Sequence, residues 1–310
     1  MKKKKAIIMF IFICLILVGC GKEKQVVVKQ PTIENPKSEE NTKPKETEET
    51  KETPKAPSTH PNGWIPGTVK KDPVKNPENQ NPENQNPVNP AIVDVDFGQP
   101  GTGVIVIDAG HQGKGNSGLE LIGPGATTSK PKVASGTRGV STKIPEYELT
   151  LTVAIKLRDA LVSQGYQVVM IRESHDVNIS NKERAEIANQ AGAAAFIRIH
   201  ANGSNDASVN GVLAACQTAQ SPYCAEYYSQ SRKLSDCVVN NMAKITGAKN
   251  RGVWETDAMS GTNWCKVPST IVEMGFMTNP KEDQLMATPG YQQNMVNAMV
   301  KGINEFLGGN

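Results

Sequence analysis

The chain is short of histidine, of paired cysteine motifs and of net charge, and each shortage narrows what it can do. Histidine occurs only four times in 310 residues, as His60, His111, His175 and His200. None of the six cysteines stands in C-x-x-C spacing, so a cysteine-built zinc site is excluded. Cys14 and Cys20 lie in an N-terminal apolar segment. Cys216, Cys224, Cys237 and Cys265 remain, and both a local Cys216–Cys224 disulfide and free thiols fit that count. The formal charge of +3 comes from four lysines in the first five residues, and the rest is close to neutral. Such a balance argues against nucleic acid as a partner. The one long apolar run, Ala6 to Val18, is too short to span a bilayer as a helix and has the length of a signal-peptide core.

Against this background the placement of two histidines stands out. Val104-Ile105-Val106-Ile107 is a β-branched run that continues into Asp108-Ala109-Gly110-His111. It predicts a buried parallel strand that delivers an imidazole to the sheet edge. Ala194 to Ile199 ends in the same way on His200. Ligands of open α/β sheets collect beyond the carboxyl ends of the strands, so two histidines there point to a metal.

The apolar run closes on Leu17-Val18-Gly19-Cys20, which resembles the lipobox of bacterial lipoproteins. That resemblance implies a signal peptide over residues 1–20, lipid on Cys20 and a membrane-anchored protein on the extracytoplasmic face. Residues 21–100 are rich in Lys, Glu, Thr, Asn and Pro, with Asn76-Pro-Glu-Asn-Gln repeated at Asn81. Too little apolar surface is present to offset the entropy of ordering, so this stretch reads as a disordered tether. At ~3.1 Å per residue it would reach roughly 250 Å.

A folded domain is expected from Gly101 to Asn310. Gln112 to Ile144 has no periodicity and reads as a long loop. Pro145 opens a helix whose Leu149, Val153, Leu157 and Leu161 share one face, and Gly165 ends it. Tyr166 to Ile171 reads as a strand, and Ser180 with Glu183 forms a capping box before a second helix. Further strands are expected at Gly211–Cys216, Gly252–Glu255, Asn263–Lys266 and Ser269–Glu273. A long helix should fill Ala225–Thr246, and two helical stretches should finish the chain. Alternation of strands and helices gives an α/β fold: a mainly parallel twisted sheet with helices on both faces, in a single domain.

Hydrolytic zinc needs about three protein ligands and an open position. Glu146 at the helix start is a candidate third ligand, and Glu148 competes with it about 200° around the helix. Ser269-Thr-Ile-Val-Glu273-Met-Gly275 ends an apolar strand on a carboxylate, which suits a general base or a transition-state stabiliser as well as a simple cap. Asp108 either orients His111 or closes the turn. His175 reads as a solvated loop residue.

Four blocks now agree in order with one family: Ile107-Asp-Ala-Gly-His111-Gln-Gly113, Pro145-Glu146-Tyr-Glu-Leu149, Phe196-Ile-Arg-Ile-His200-Ala-Asn202, and Pro268-Ser-Thr-Ile-Val-Glu273-Met-Gly-Phe-Met-Thr-Asn279. Met170-Ile-Arg172 and Arg184 agree as well. The chain resembles the zinc-dependent N-acetylmuramoyl-L-alanine amidases of the bacterial cell wall over residues 103 to 307. The resemblance implies that His111, Glu146 and His200 bind zinc and that Glu273 is catalytic, which favours Glu146 over Glu148. It also implies peptidoglycan as substrate, cut between the lactyl group of N-acetylmuramic acid and L-alanine of the stem peptide. Gln112 stands where the family usually has Gly, and Arg198 where Ser is common. By strand alternation Arg198 lies on the His200 side, so Arg198 and Asn202 are candidate substrate contacts, while Arg198 could also pair with an acid. A zinc peptidase acting on wall peptides and a non-catalytic wall-binding lipoprotein are the alternative readings.

Overall fold

A computed structural model describes residues 88–308. The signal peptide, Cys20 and most of the expected tether lie outside the described residues.

The β-branched run forms strand β1, Val104–Ala109. A hairpin follows, β2 (Asn116–Leu121) and β3 (Ser129–Val133), and then helix α1 (Glu146–Ser163). Next come β4 (Gln167–Met170), α2 (Asn181–Gln190), β5 (Ala195–Asn202) and β6 (Val212–Cys216). The chain continues through α3 (Tyr228–Thr246), β7 (Asn250–Glu255), a single turn α4 (Ser260–Asn263) and β8 (Ser269–Phe276). Helices α5 (Pro280–Met286) and α6 (Pro289–Gly308) end it.

Six strands make one sheet in the order β4-β1-β5-β8-β6-β7. The first four are parallel; β6 runs antiparallel to β8, and β7 is parallel to β6. The mainly parallel sheet is thus as expected, with two reversed strands on one side. Strand alternation sorts the side chains. Ile105, Ile107, Ile197, Ile199, Val272 and Met274 belong to the core that α1, α3 and α6 cover. Val106 and Phe196 face the other way, onto Ala185, Ile187 and Ala188 of α2. Asp108, Arg198 and His200 fall on this second side by the same two-residue period.

The helix signals act as read. Leu149, Val153, Leu157 and Leu161 are all buried along α1, and Gly165 takes a left-handed φ of +92° just after it. Ser180 and Glu183 exchange both hydrogen bonds of the capping box at α2.

Three expectations need correction. Gln112–Ile144 contains the β2–β3 hairpin. Its residues are poor strand formers, and Pro131 sits within β3, so no local signal marks it. Bonds from distant residues hold it instead. Trp264 donates Nε1 to Leu121 O (2.9 Å), Asn263 donates Nδ2 to Ile122 O (3.0 Å), and Asn181 donates Nδ2 to Lys132 O (2.9 Å). Asn263–Lys266 is not a strand: Thr262 and Asn263 donate their N–H groups to Met259 O and close the α4 turn. The ordered chain also begins before Gly101. Residues 89–97 lie along α6, where Asn294 accepts from Val93 N (2.7 Å) and donates to Ala91 O (3.0 Å). Asn297 donates to Val93 O, Lys301 to Asp96 O and Asn304 to Phe97 O. Composition misses this strap because asparagine amides, not apolar burial, fix it.

Candidate active site

The site forms where β1, β5 and β8 end. β1 pairs with β5 and β5 with β8, and His200 stands directly opposite Glu273 in that register. Parallel neighbours in register place their side chains on one face, so both point to the α2 side. His111 leaves β1 with a φ of +61°, left-handed for a non-glycine residue. Such backbone costs of order 1–3 kcal/mol and persists where surrounding contacts enforce it. Gly110 before it is required on steric grounds: a Cβ there would stand 2.4 Å from His200 Cε1.

His111 Nε2, Glu146 Oε1 and His200 Nδ1 converge. The two ring nitrogens are 3.1 Å apart, and Glu146 Oε1 is 3.0 Å from His111 and 3.1 Å from His200. His111 Nδ1 lies 2.8 Å from Ala134 O, which fixes the proton on that nitrogen and leaves Nε2 a lone pair. Glu146 is anchored by Ala201 N on Oε1 (3.1 Å) and Thr137 N on Oε2 (2.8 Å). Burial opposes ionisation of Glu146, but hydrogen bonds and positive charge from the two rings in their protonated form outweigh it and hold the carboxyl far below the usual range. Burial pushes His200 below the ordinary histidine value, which favours the neutral ring. Two imidazoles and a carboxylate whose ligand atoms all lie within 4.8 Å of one another fit a divalent cation of the zinc type, which would bind the deprotonated rings. Glu148 is not part of this cluster.

Glu273 lies beside the cluster in the same cleft, of about 470 Å³. Its Oε2 is buried with no hydrogen-bond partner among the described residues. Burial first, and the Glu146 charge second, push its pKa up to about 8. A buried carboxyl left without a partner costs free energy in the resting fold, which points to a role in chemistry rather than in stability.

Four buried charges, Asp108, Arg172, Arg184 and Arg198, position these groups. Asp108 accepts from Arg184 Nη1 (2.5 Å) and Arg198 Nε (3.0 Å) and is fully buried. It makes no direct bond to the His111 ring and acts on that residue through Arg184. Arg184 also donates to Ala109 O (3.2 Å), His111 O (3.1 Å) and Gln112 Oε1 (2.9 Å), so the unusual Gln112 is a buried partner of this arginine. Arg172 joins the two ligand-bearing segments, donating to Ala109 O, Gly110 O and, after Glu146, Tyr147 O, all within 3.0 Å. Burial lowers its pKa to about 10. The Arg172 and Arg184 signals carried no role in the sequence, because their partners, backbone carbonyls and for Arg184 also Asp108 and Gln112, are distant along the chain.

Of the candidate substrate contacts, Arg198 pairs with Asp108 and gives Nη2 to Asn181 Oδ1 (2.9 Å), yet it still lines the cleft. Asn202 lines it too, its Oδ1 accepting from Gly203 N. His175 is exposed, with its ring edge-on to Tyr147. The four cysteines are free, and burial raises Cys216 and Cys224 to about 11.

An α/β sheet that presents two histidines and a glutamate beside a protonatable buried acid defines a hydrolase built around a candidate metal centre. The family model described as N-acetylmuramoyl-L-alanine amidase matches residues 105–305, and the chain belongs to that family. An N-acetylmuramoyl-L-alanine amidase of Mycobacterium tuberculosis is 28% identical over 214 residues, covering 66% of this chain and 86% of the relative. A germination-specific N-acetylmuramoyl-L-alanine amidase of Bacillus subtilis is 26% identical over 182 residues, covering 54% of this chain and 73% of the relative. Among solved structures, the N-acetylmuramyl-L-alanine amidase Ami1 of Mycobacterium smegmatis superposes with a TM-score of 0.62 at 26% identity, covering 69% of this chain and all of that one.

Proposed function

We propose that this chain is a zinc-dependent amidase that hydrolyses the bond between the lactyl carbonyl of N-acetylmuramic acid and L-alanine of the stem peptide in peptidoglycan. The observation that carries this reading is the convergence of His111 Nε2, Glu146 Oε1 and His200 Nδ1 next to the unpartnered Glu273 carboxyl. His111, Glu146 and His200 would hold the zinc, and Glu273 would be the catalytic acid–base. A zinc ion held there would polarise the scissile carbonyl, acidify a water to a pKa of about 7 and lower the pKa of Glu273. Glu273 takes a proton from the attacking water and passes it to the amide nitrogen as the C–N bond breaks. The products are a lactyl carboxylate and a stem peptide with a new amino terminus.

The test is mass spectrometry of wall digests with and without a chelator. The expected products are free stem peptides beginning with L-alanine, lost on chelation and restored by zinc. New sugar reducing ends alone, or cuts inside the peptide, would overturn the reading.

The protein is proposed to work from the extracytoplasmic face of the membrane, held by lipid on Cys20 through the tether. Cys20→Ser should move it from the membrane to the soluble fraction. Unchanged membrane retention would refute the lipid anchor.

A further inference from the structure

We propose that Lys130 and the uncommitted end of the Arg198 guanidinium form a carboxylate-binding subsite in the cleft, which selects stem peptides that carry a free acid group. The inference rests on the amidase reading and adds the feature of the substrate that this chain would discriminate.

Both cations line the cleft that holds Glu273. Arg198 is 3% exposed and commits Nε to Asp108 and Nη2 to Asn181. Its Nη1 makes no hydrogen bond among the described residues. Gly261 lies over this atom: a Cβ at that position would stand 2.4 Å from Nη1. Glycine there leaves room beside Nη1 that a side chain would fill, at a backbone φ that does not itself require glycine.

Lys130 reaches the cleft from β3. Its ammonium gives one N–H to Ala258 O at 2.7 Å, and no carboxylate lies within 4.0 Å of it among the described residues. Its cross-strand neighbour Glu120 is committed elsewhere, accepting from Lys182 N and Ser260 Oγ. Glu146 is likewise committed, to His111, His200, Ala201 and Thr137. The cleft wall therefore offers one ammonium with no carboxylate beside it, and one guanidinium N–H, on Nη1, that its Asp108 and Asn181 partners leave uncommitted.

An ammonium and an N–H of a guanidinium suit the two oxygens of a carboxylate, and charge-assisted bonds of this kind are about twice as strong as neutral ones. An amide in its place would present an NH2 to two donors. Stem peptides carry carboxylates along their length, and amidation removes that charge while leaving the scissile bond unchanged.

The experiment compares two muropeptides that differ only in whether the stem carboxylates are free or amidated, using the full chain loaded with zinc. The wild type should prefer the free acid about tenfold in kcat/KM, through KM. Lys130→Met should raise KM for the free acid about tenfold with little change in kcat, and should leave the amidated substrate within twofold. Lys130→Arg should restore the preference. Gly261→Ala should lower the preference as well, because a methyl group 2.4 Å from Nη1 would push the guanidinium out of place. Equal losses on both substrates, or none, would overturn the subsite while leaving the amidase reading intact. If neither muropeptide is cut, the amidase reading fails, and calorimetry with the free and amidated stem peptides decides the subsite. Tighter binding of the acid, lost in Lys130→Met, would support it, and equal binding would refute it.

Discussion

Two buried acids in this protein meet opposite environments, and their titration divides along the same line. Glu273 has no partner and sits near the Glu146 charge, so its carboxyl is pushed up to about 8. Asp108 is fully buried. Its burial alone would raise the pKa, but the guanidiniums of Arg184 and Arg198 outweigh that and hold it far below the usual range. Glu273→Gln keeps the size and removes the proton carrier. It should lower kcat by about 10²–10⁴-fold while bound metal, measured by elemental analysis, stays at the wild-type stoichiometry. Asp108→Asn should instead cost stability, about 3–5 kcal/mol at neutral pH, because two arginines lose their buried counter-charge. A depressed folded pKa contributes stability that is fully present above the unfolded value of about 3.9 and is lost as pH falls below it. Urea unfolding from pH 7 to pH 2 should therefore show the gap between wild type and Asp108→Asn closing below about pH 4. A gap that persists unchanged at pH 2 would mean that the charge of Asp108 is not what matters.

At the scale of elements, the chain divides into those fixed by their own residues and those fixed by others. The β1 and β5 strands, the α1 stripe and the α2 capping box follow from local pattern, because β-branched runs and helical periodicity act over a few residues. The ends of those strands also announced His111 and His200. The β2–β3 hairpin did not announce itself. Leu119 and Leu121 are exposed on it, whereas Glu120 is buried against α2 and Ser260. Its face toward the protein is thus polar, and its short alternation turns the apolar residues to solvent instead of the core. The Asp283 carboxylate of α5 is similar, clamping Ser141 N, Thr142 N and Thr142 Oγ1 from some 140 residues away. Glu120→Ala should leave the core intact and loosen the hairpin. Amide exchange in residues 116–133 should quicken by one to two orders of magnitude, matching about 1–3 kcal/mol of lost hydrogen bonding to a charged group. Exchange in β1 and β5 should not change. Uniform acceleration through the sheet would place Glu120 in the global core instead.

At the scale of the whole molecule, the described chain is the catalytic fold plus a strap. The strap begins beside the start of α6, where Gly290 N donates to Asn89 Oδ1. It reaches Tyr166, whose hydroxyl accepts from Gly101 N and donates to Asn304. No helix among the described residues is long and apolar enough to cross a membrane. Asn294 grips the strap twice, through one acceptor and one donor. Asn294→Ala should cost about 1–3 kcal/mol for the two hydrogen bonds lost. Limited proteolysis should then cut within residues 88–100 sooner than in the wild type, with the rest of the domain resistant. Equal cutting rates would mean that other contacts hold the strap.

The strap also sets how the domain bears a pull. It runs alongside α6 in the same direction, with successive attachments at Gly290, Asn294, Asn297, Lys301 and Asn304. A force arriving through the preceding chain along the helix axis loads those attachments together, as shear. A force directed away from the helix opens them singly from Asn89, as a peel. The same five contacts thus resist axial tension far better than lateral tension, and the strap would give before β1, and with it His111, was disturbed.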